Sequence, residues 1–314
     1  MPMTTRAPRA KHGSGHSLQT SQPGHAPSRT AQYLALDIGG TTTRLARCTT
    51  LATPELTQLD AYPTPQNYDE HLSYLTGLLR STQDAYGAIT GIGVSVGGRI
   101  SRDGAAVAVA PNLPQYEGKP LARDLGVIGA CETRLAHDTV CGLLGERRFG
   151  VLRGADRCAY LTISTGTGAA VYLGSGAHGQ ALSIEIGHQL LDGATYPCLC
   201  GQIGCLETFT GGRQLALRYG YSIEAIPDTA VWQTLAEKLA LGLVNLVHLT
   251  RVEVVAVGGG IALHRPELLS WLQAEVDARL RNAALRLLPA TLGDRAPLVG
   301  ATQLLAPHTP TVLH

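Results

Sequence analysis

The feature that most constrains the fold is a unit of strand, Gly/Thr turn and returning strand, which occurs twice. In the first copy, the apolar run 33–36 and Asp37 lead into the first Gly/Thr turn, residues 39–42. In the second, strand 159–163 leads into the second Gly/Thr turn, residues 164–168, and a returning strand at 169–173. The turns lie about 125 residues apart, and predicted strands and helices alternate after each. This weak repeat predicts two related α/β domains that face a common cleft.

The remaining periodic segments give the domain organisation. Helices are predicted at 72–86, 233–249 and 266–285, and further strands at 91–96 and 252–257. With 314 residues, the chain has room for two domains. Residues 1–30 lack Asp and Glu and contain few large aliphatic side chains, so they cannot offset their ordering entropy. We therefore predict a disordered tail at 1–30, an N-terminal α/β domain at 31–137, a C-terminal α/β domain at 138–290, and a segment at 291–314 that packs back on the N-terminal domain.

Charge and cysteine content restrict the class of partner. The formal net charge is +1, so no strong field draws in nucleic acid or an anionic membrane, and a small-molecule partner is favoured. The longest apolar stretch, 231–249, is interrupted by Glu237 and Lys238, which argues against a membrane span. Seven cysteines are present, three of them within 198–205, which favours one metal cluster in a reducing compartment over a disulfide framework. We expect a cytoplasmic protein.

The first Gly/Thr turn has the composition of a phosphate-binding loop. Glycine lets backbone N–H groups approach phosphate oxygens without a Cβ clash, and threonine hydroxyls add donors. Asp37, at the end of the strand, could hold a hydrated Mg²⁺. An ordinary hairpin turn with its Asp is the alternative. The residues assigned here to ATP or phosphate are Asp37, Gly39, Gly40, Thr41 and Thr42.

The second Gly/Thr turn repeats this chemistry, and the pair suits a clamp on a polyphosphate. Neither turn is a P-loop, because no Gly-Lys-Ser/Thr follows. A run of three glycines after the strand 252–257 leaves room for a flat adenosine group, although a tight strand-to-helix turn explains it equally. The additional residues assigned to ATP are Thr165, Gly166, Thr167, Gly168, Gly258, Gly259 and Gly260.

The most specific motif is a potential zinc site. His188, Cys198, Cys200 and Cys205 follow the spacing H-x9-C-x-C-x4-C. One imidazole and three thiolates form a closed tetrahedral set for Zn²⁺, with no position left for a catalytic water. The motif therefore predicts a structural zinc.

Three carboxylates accompany these motifs. Asp138 follows a predicted strand, Glu185 lies three residues before His188, and Glu207 lies two residues after Cys205. Carboxylates grouped on one pocket wall suit sugar hydroxyls, each of which can donate a hydrogen bond. Taken singly, each of them is more typical of an ordinary surface charge.

At this point the sequence resembles the ROK family of sugar kinases and sugar-responsive repressors. The resemblance lies in residues 37–44 (DIGGTTTR), 111–114 (PNLP), 185–188 (EIGH) and 198–207 (CLCGQIGCLE), and it extends over about residues 33–305. It implies a two-domain actin-like, hexokinase-like fold that binds ATP and a sugar in the interdomain cleft. The two Gly/Thr turns then resemble the family's two phosphate loops.

The resemblance also implies roles for individual residues. Asp138 falls on the family's catalytic base, and His137, beside it, replaces an Asn that normally contacts the sugar. The other family sugar-binding positions are occupied here by Gly98, Arg99, Asn112, Glu185, His188 and Glu207. A Pro usual in the first-domain loop is Val96.

The resemblance thus implies ATP-dependent phosphorylation of a hexose or an N-acetylhexosamine, glucokinase-like by default, with Mg²⁺, structural Zn²⁺ and a homodimer. The stretch 97–99 slightly favours an N-acylated hexosamine, and polyphosphate remains an alternative donor. A sugar-sensing regulator is the runner-up; such relatives carry a helix-turn-helix domain, whereas 32 mostly polar residues precede Tyr33. A catalytically inactive relative, suggested by His137, is a further alternative. A zinc-ribbon nucleic-acid binder is disfavoured by the near-neutral charge and low aromatic content.

Overall fold

The computed structural model of the protein describes residues 30–175 and 178–314, so the predicted tail lies outside the described residues except for Thr30. The strands are β1 (Tyr33–Ile38), β2 (Thr42–Cys48), β3 (Thr57–Pro63), β4 (Gly91–Val96), β5 (Arg99–Ile100), β6 (Val107–Val109), β7 (Glu132–His137), β8 (Arg157–Ile163), β9 (Thr167–Leu173), β10 (Gln180–Ile184), β11 (Val254–Gly258), β12 (Arg286–Pro289) and β13 (Thr311–Leu313). The helices are α1 (Tyr68–Tyr86), α2 (Leu121–Gly129), α3 (Asp138–Phe149), α4 (Glu207–Thr210), α5 (Gly212–Tyr219), α6 (Thr229–Thr250), α7 (Gly260–His264), α8 (Pro266–Arg279) and α9 (Ala296–Gln303).

Two mixed sheets contain the two copies of the repeated unit. The first has the order β3-β2-β1-β4-β7, in which β1, β4 and β7 run parallel and β2 returns antiparallel to β1. The second has the order β12-β11-β8-β9-β10-β13, in which β9 returns antiparallel to β8 and β11 runs parallel to β8. Both predicted strand–turn–strand units are therefore confirmed.

Helices α3 and α9 lie between the two sheets. One core cluster joins Ala35 of β1 with Tyr160 of β8 through residues of both helices. The packing brings backbone against backbone, since a Cβ on Gly300 of α9 would lie 1.6 Å from the Cys141 carbonyl oxygen of α3. A Cβ on Gly93 of β4 would lie 1.9 Å from the Ala301 carbonyl oxygen. Glycine at these positions lets α9 contact a helix and a sheet at once.

The predicted helices are present, with one wrong boundary. The segment 72–86 lies in α1, which begins earlier because the Asn67 side chain accepts a bond from the Glu70 N–H. The segment 233–249 lies within α6, and the predicted strands 91–96 and 252–257 correspond to β4 and β11. The prediction of helix to 285 is wrong, because α8 ends at Arg279. The chain then turns into β12, where the Gln273 side chain bonds the backbone of Leu285 and Leu287.

The C-terminal segment contacts both sheets. Helix α9 packs on β1 and β4, whereas β13 pairs with β10 at the edge of the second sheet. Residues 31–314 form one compact unit, and the domain boundaries at 137/138 and 290/291 stay predictions. No helix within the described ranges is long and apolar enough to cross a bilayer.

Candidate active site

The site is built where three parallel strands of the first sheet end. Ile38 of β1 pairs with Val96 of β4, and Val96 pairs with His137 of β7, so these strands end at one edge. Ligands of open α/β sheets bind at the carboxyl ends of strands. Asp138 begins α3 at this edge, and its Oδ2 lies 3.8 Å from where a Cβ on Gly97 would be. The register therefore brings Asp138 close to the start of the first Gly/Thr turn.

Asp37 is held from two sides. The Ser95 hydroxyl donates to its Oδ1 at 2.7 Å, and Nη2 of Arg44, its cross-strand partner, donates to Oδ2 at 2.8 Å. Burial raises the pKa of Asp37 above its usual range, although Arg44 and Ser95 act in the opposite direction. Because both oxygens already accept bonds, Asp37 offers Mg²⁺ only its remaining lone pairs.

The first Gly/Thr turn is supported by neighbouring loops. The Gly39 N–H donates to the Thr42 carbonyl at 3.0 Å, and the Thr64 hydroxyl donates to the Gly39 carbonyl at 2.6 Å. A Cβ on Gly40 would lie only 2.7 Å from the Cβ of Asn112, so the predicted sugar residue packs directly on this turn. The side chains of Thr41 and Thr42 remain exposed.

The second Gly/Thr turn is supported by a carboxylate. The Thr167 N–H donates to Oε2 of Glu207 at 2.9 Å, and a Cβ on Gly166 would lie 2.8 Å from the same oxygen. The Thr167 hydroxyl bonds the Thr210 hydroxyl at 2.8 Å. Glu207, predicted to bind sugar, thus lies against the turn predicted to bind phosphate. A Cβ on Gly168 would contact Thr139 of α3 at 3.0 Å, which joins this turn to the helix of Asp138.

The glycine run joins β11 to α7. Gly258 ends the strand, and Gly259 has a φ of +90°, which favours glycine. A Cβ there would lie 2.4 Å from the Ile163 carbonyl oxygen, so this turn packs on the end of β8. Beside Gly260 the space is open. A small cavity next to it is lined by Ile223, Trp232, Ile261, His264 and Arg265.

His137 caps the helix that Asp138 begins. The Thr139 N–H donates to Nδ1 of His137 at 3.2 Å, and the same Nδ1 lies 2.9 Å from Asp138 Oδ1. A neutral Nδ1 accepts from Thr139, whereas a protonated Nδ1 can only donate, and the acceptors near it are the Thr139 hydroxyl oxygen at 2.7 Å and Asp138 Oδ1. The aligned bond is the one from Thr139, and Asp138 Oδ1 has no hydrogen-bond partner within residues 30–175 and 178–314.

The charges of this pair shift both pKa values. Burial lowers the pKa of His137, but Asp138 and then Glu185 raise it, and the net shift is upward. Burial raises the pKa of Asp138, but the charge of neighbouring His137 lowers it, and the net shift is downward. The Asp138 side chain is 39% exposed although its Oδ1 is buried, so the exposure belongs to its other atoms. Asp138 is therefore an ionised carboxylate with one accessible side at neutral pH.

The residues of the zinc motif converge. The potential ligand atoms of His188, Cys198, Cys200 and Cys205 all lie within 4.8 Å of one another, and we call them the Cys3His cluster. Cys200 Sγ and Cys205 Sγ are 3.7 Å apart, and Cys198 Sγ lies 3.9 Å from His188 Nδ1. Zn–S bonds of about 2.3 Å in a tetrahedron place two sulfurs about 3.8 Å apart, so the set fits Zn²⁺.

The remaining predicted sugar residues fall in two places. Glu185 is exposed, its carbonyl accepts the His188 N–H, and its carboxylate is close enough to act on His137. A Cβ on Gly187 would lie 2.4 Å from the Thr167 carbonyl oxygen, so this segment packs on the second turn. Gly98 packs tightly on the Val109 carbonyl, and Arg99 begins β5. Within the described ranges, no hydrogen bond or ion pair joins Arg99 to the other candidates.

Two site residues were missed by the sequence analysis. Ser95, which bonds Asp37, is a polar residue in an otherwise apolar strand, and that anomaly could have found it. Arg213, whose Nη1 donates to Asn112 Oδ1 at 3.1 Å, follows Gly211 and Gly212 at a helix start. Its contact crosses 101 positions of the chain, so no local signal indicates it.

Comparison with known proteins identifies the family whose sequence pattern this chain matches. The family model described as "ROK family" matches residues 33–307. The kanosamine kinase of Amycolatopsis mediterranei (strain S699) is 27% identical over 297 residues, which cover 88% of this chain and 96% of that protein. The xylose repressor of Bacillus subtilis (strain 168) is 25% identical over 72% of this chain and 63% of its own length. The chain also spans only 62% and 64% of two further curated relatives.

A solved structure shares the fold. The crystal structure of a ROK family glucokinase from Streptomyces griseus, in complex with glucose and AMPPNP, superposes with a TM-score of 0.72 at 21% identity. The match covers 87% of this chain and 99% of that chain. The likeness confirms the predicted fold class, an α/β fold of the actin-like ATPase type.

Proposed function

Because this chain belongs to the ROK family, we propose that it transfers the terminal phosphoryl group of ATP to a hydroxyl of a hexose or an N-acetylhexosamine. The observation that carries the proposal is the position of Asp138, an ionised carboxylate beside the first Gly/Thr turn at the edge where β1, β4 and β7 end. A general base must lie within hydrogen-bond reach of the attacking hydroxyl, and that hydroxyl must lie next to the phosphate, so a carboxylate beside a phosphate-binding turn suits this reaction.

The two Gly/Thr turns would hold the phosphates, and the turn at Gly258–Gly260 with its adjoining cavity would receive the nucleoside. Mg²⁺ would neutralise charge on the phosphates when it is bound with ATP. Asp37 would orient that ion's waters through its remaining lone pairs, and its carboxylate is held by Ser95 and Arg44. Exposed Thr41 and Thr42 add hydroxyl donors on the first turn.

Asp138 would accept the proton of the attacking hydroxyl. The hydroxyl oxygen bonds to the terminal phosphorus as the bond to the bridging oxygen breaks, ADP leaves, and the proton passes to the carboxylate. Because an Asp carboxylate is a weak base, it would orient the hydroxyl first and accept its proton late in the reaction. Such a base contributes about 10²–10⁴-fold in rate.

The sugar would lie among Gly98, Arg99, Asn112, His137, Glu185, His188 and Glu207, next to the Cys3His cluster. In that cluster His188 faces the sulfurs with Nδ1, which leaves Nε2 available to a sugar oxygen. The cluster fits a closed structural Zn²⁺, which would hold His188 and, through the chain that follows Cys205, Glu207 in place. A homodimer and a cytoplasmic location stay predictions.

A panel of sugars with ATP, read by ADP release in a coupled assay, tests the proposal. We expect glucose or an N-acetylhexosamine to give turnover, and Asp138→Asn to abolish it while ATP binding persists in calorimetry. Asp84→Asn, at an exposed position of α1, is the matched control and should keep full turnover. Near-normal turnover by Asp138→Asn would remove Asp138 from its role.

The second candidate is a sugar-sensing protein without kinase activity, which the likeness to the xylose repressor favours. It predicts sugar binding without ADP release across the whole panel. Polyphosphate in place of ATP, run in the same assay, decides between the two phosphoryl donors.

A further inference from the structure

Arg213 is anchored on the second Gly/Thr turn. It is the second residue of α5, and its backbone N–H donates to the Thr165 carbonyl at 2.9 Å. The preceding Gly212 N–H donates to the Ser164 carbonyl at 2.8 Å. The start of α5 is therefore fixed to this turn by two hydrogen bonds, one from Gly212 and one from Arg213, while the side chain of Arg213 extends away from its backbone.

The side chain of Arg213 reaches the first Gly/Thr turn. Its Nη1 lies 3.1 Å from Oδ1 of Asn112. The Cβ of Asn112 lies 2.7 Å from where a Cβ on Gly40 would be, so Asn112 belongs to the wall of the first turn. The guanidinium thus spans the gap between the two turns, which is the gap that a polyphosphate held by both would occupy.

Positive charge is scarce at this gap. Neither turn contains Lys or Arg in its sequence. Arg44, which follows the first turn, donates to Asp37 at 2.8 Å and to Asp294 at 3.1 Å, so its charge is already neutralised. Arg213 is exposed, and among the described residues its side-chain hydrogen-bond partner is a neutral amide. Hydrogen bonds from Arg to phosphate are stronger than those to a neutral amide, so a phosphate should displace Asn112.

We propose that Arg213 is a catalytic residue that exchanges its bond to Asn112 for the terminal phosphate of ATP. This proposal rests on the proposed function and deepens it. The guanidinium keeps its protons throughout and stabilises the charge on the transferred group, as planar, always-charged arginine does in other phosphoryl transfers. Loss of the bond to Arg213 would also free the Asn112 amide to turn toward a sugar hydroxyl.

Calorimetry with AMPPNP and with ADP, without sugar, tests the contact directly. We expect Arg213→Ala to weaken AMPPNP binding about tenfold, the worth of one charge-assisted hydrogen bond, and to change ADP binding less than about twofold. In active enzyme, kcat should fall by about 10²-fold or more, and Arg213→Lys should recover part of the loss. Arg286→Ala, at an exposed position where edge strand β12 begins, controls for the loss of one positive charge.

The Asn112→Ala variant distinguishes two roles of Arg213: binding the terminal phosphate, or only linking the two turns through Asn112. It removes the same hydrogen bond but keeps the cation, so the ratio of AMPPNP to ADP affinity should stay as in the wild type. An equal loss for both nucleotides in Arg213→Ala, or the same ratio change in Asn112→Ala, overturns the proposal. If the wild type phosphorylates no sugar but Arg213→Ala still loses AMPPNP selectively, the proposed acceptor reaction fails and the Arg213 contact stands. A wild type that binds no nucleotide overturns both.

Discussion

The two Gly/Thr turns have the same local design but different supports. The first turn accepts a hydrogen bond from the Thr64 hydroxyl and packs against Asn112. Its acidic residue, Asp37, is bonded to Arg44 within the same hairpin. The second turn is held by a residue outside its hairpin, because the Thr167 N–H donates to the carboxylate of Glu207 in α4. Helix α5 also reaches the Cys3His cluster, because the Gln214 side chain donates to Cys198 Sγ at 3.4 Å. The first turn is thus supported by neighbouring loops, and the second by residues that follow or contact the Cys3His cluster.

The largest expected effect tests that dependence. Cys205→Ser removes one thiolate, so the cluster should lose its metal, and sugar phosphorylation should fall more than about 100-fold because His188 and Glu207 lose their support. Hydrogen exchange should rise at 164–168 and stay unchanged at 39–42. Metal content by absorption or mass spectrometry checks the first statement, and Cys131→Ser, outside the cluster, should keep its metal. Equal exchange gains at both turns would contradict the comparison.

The ion pair between Asp37 and Arg44, next to the first turn, gives the second largest expected effect, a loss of stability. Asp37→Asn leaves Arg44 with Asp294 as its only carboxylate partner among the described residues, and it should lower the free energy of unfolding by about 3 kcal/mol. This is the low end of the range for breaking a buried pair, because Asp294 keeps part of the charge neutralised. Asp294→Asn is the matched control: that carboxylate is 79% exposed, so its loss should cost less than about 1 kcal/mol. Urea denaturation measures both.

Two buried hydroxyls allow a matched comparison of the turns. Ser95→Ala removes a donor to the Asp37 carboxylate, and it should cost about 2 kcal/mol of stability. Thr210→Val removes a neutral partner of the Thr167 hydroxyl and should cost about 1 kcal/mol. Equal costs in urea denaturation would argue that charge contributes nothing extra at the first turn.

The smallest effect lies in the pH profile. The pKa of His137 is raised above 6.5 by Asp138 and Glu185, so below that pKa a protonated His137 pairs with Asp138 and weakens it as a base. The value of kcat/KM should therefore fall by about tenfold as pH drops through the histidine range, well above the usual pKa of an Asp. His137→Asn should move this acid limb to lower pH, and His248→Asn, an exposed position on α6, should not. An unchanged limb in His137→Asn would assign it to another group.

The same pair bears on stability, with opposite signs. His137 has a raised pKa in the fold, so its contribution is present at low pH and is lost as pH rises through that pKa. Asp138 has a lowered pKa, so its contribution is present above the unfolded value of about 3.9 and is lost as pH falls through the folded one. Between the two folded values both residues are charged and the pair is at its strongest.

The local part of this site is predictable from sequence, and the non-local part is not. Glycine and threonine at 39–42 and 164–168, and the cysteine spacing before Glu207, carry their chemistry in consecutive residues. The bond of Ser95 to Asp37 depends on the parallel pairing of β1 with β4, and that register is set by the whole sheet. The end of α8 was mispredicted for the same reason, because Leu285 continues an apolar pattern but is buried on the way into β12.

Helix α9 has a consequence for the order of folding during synthesis. Its glycine contacts fill the space between β4 and α3, yet residues 296–303 are made some two hundred positions after β4. A ribosome releases the chain from the N-terminal side, so β4 emerges before the helix that packs on it has been synthesised. The sheet that carries Asp37 and leads into Asp138 is therefore translated early, but it acquires its inner cover only after residues 296–303 have emerged.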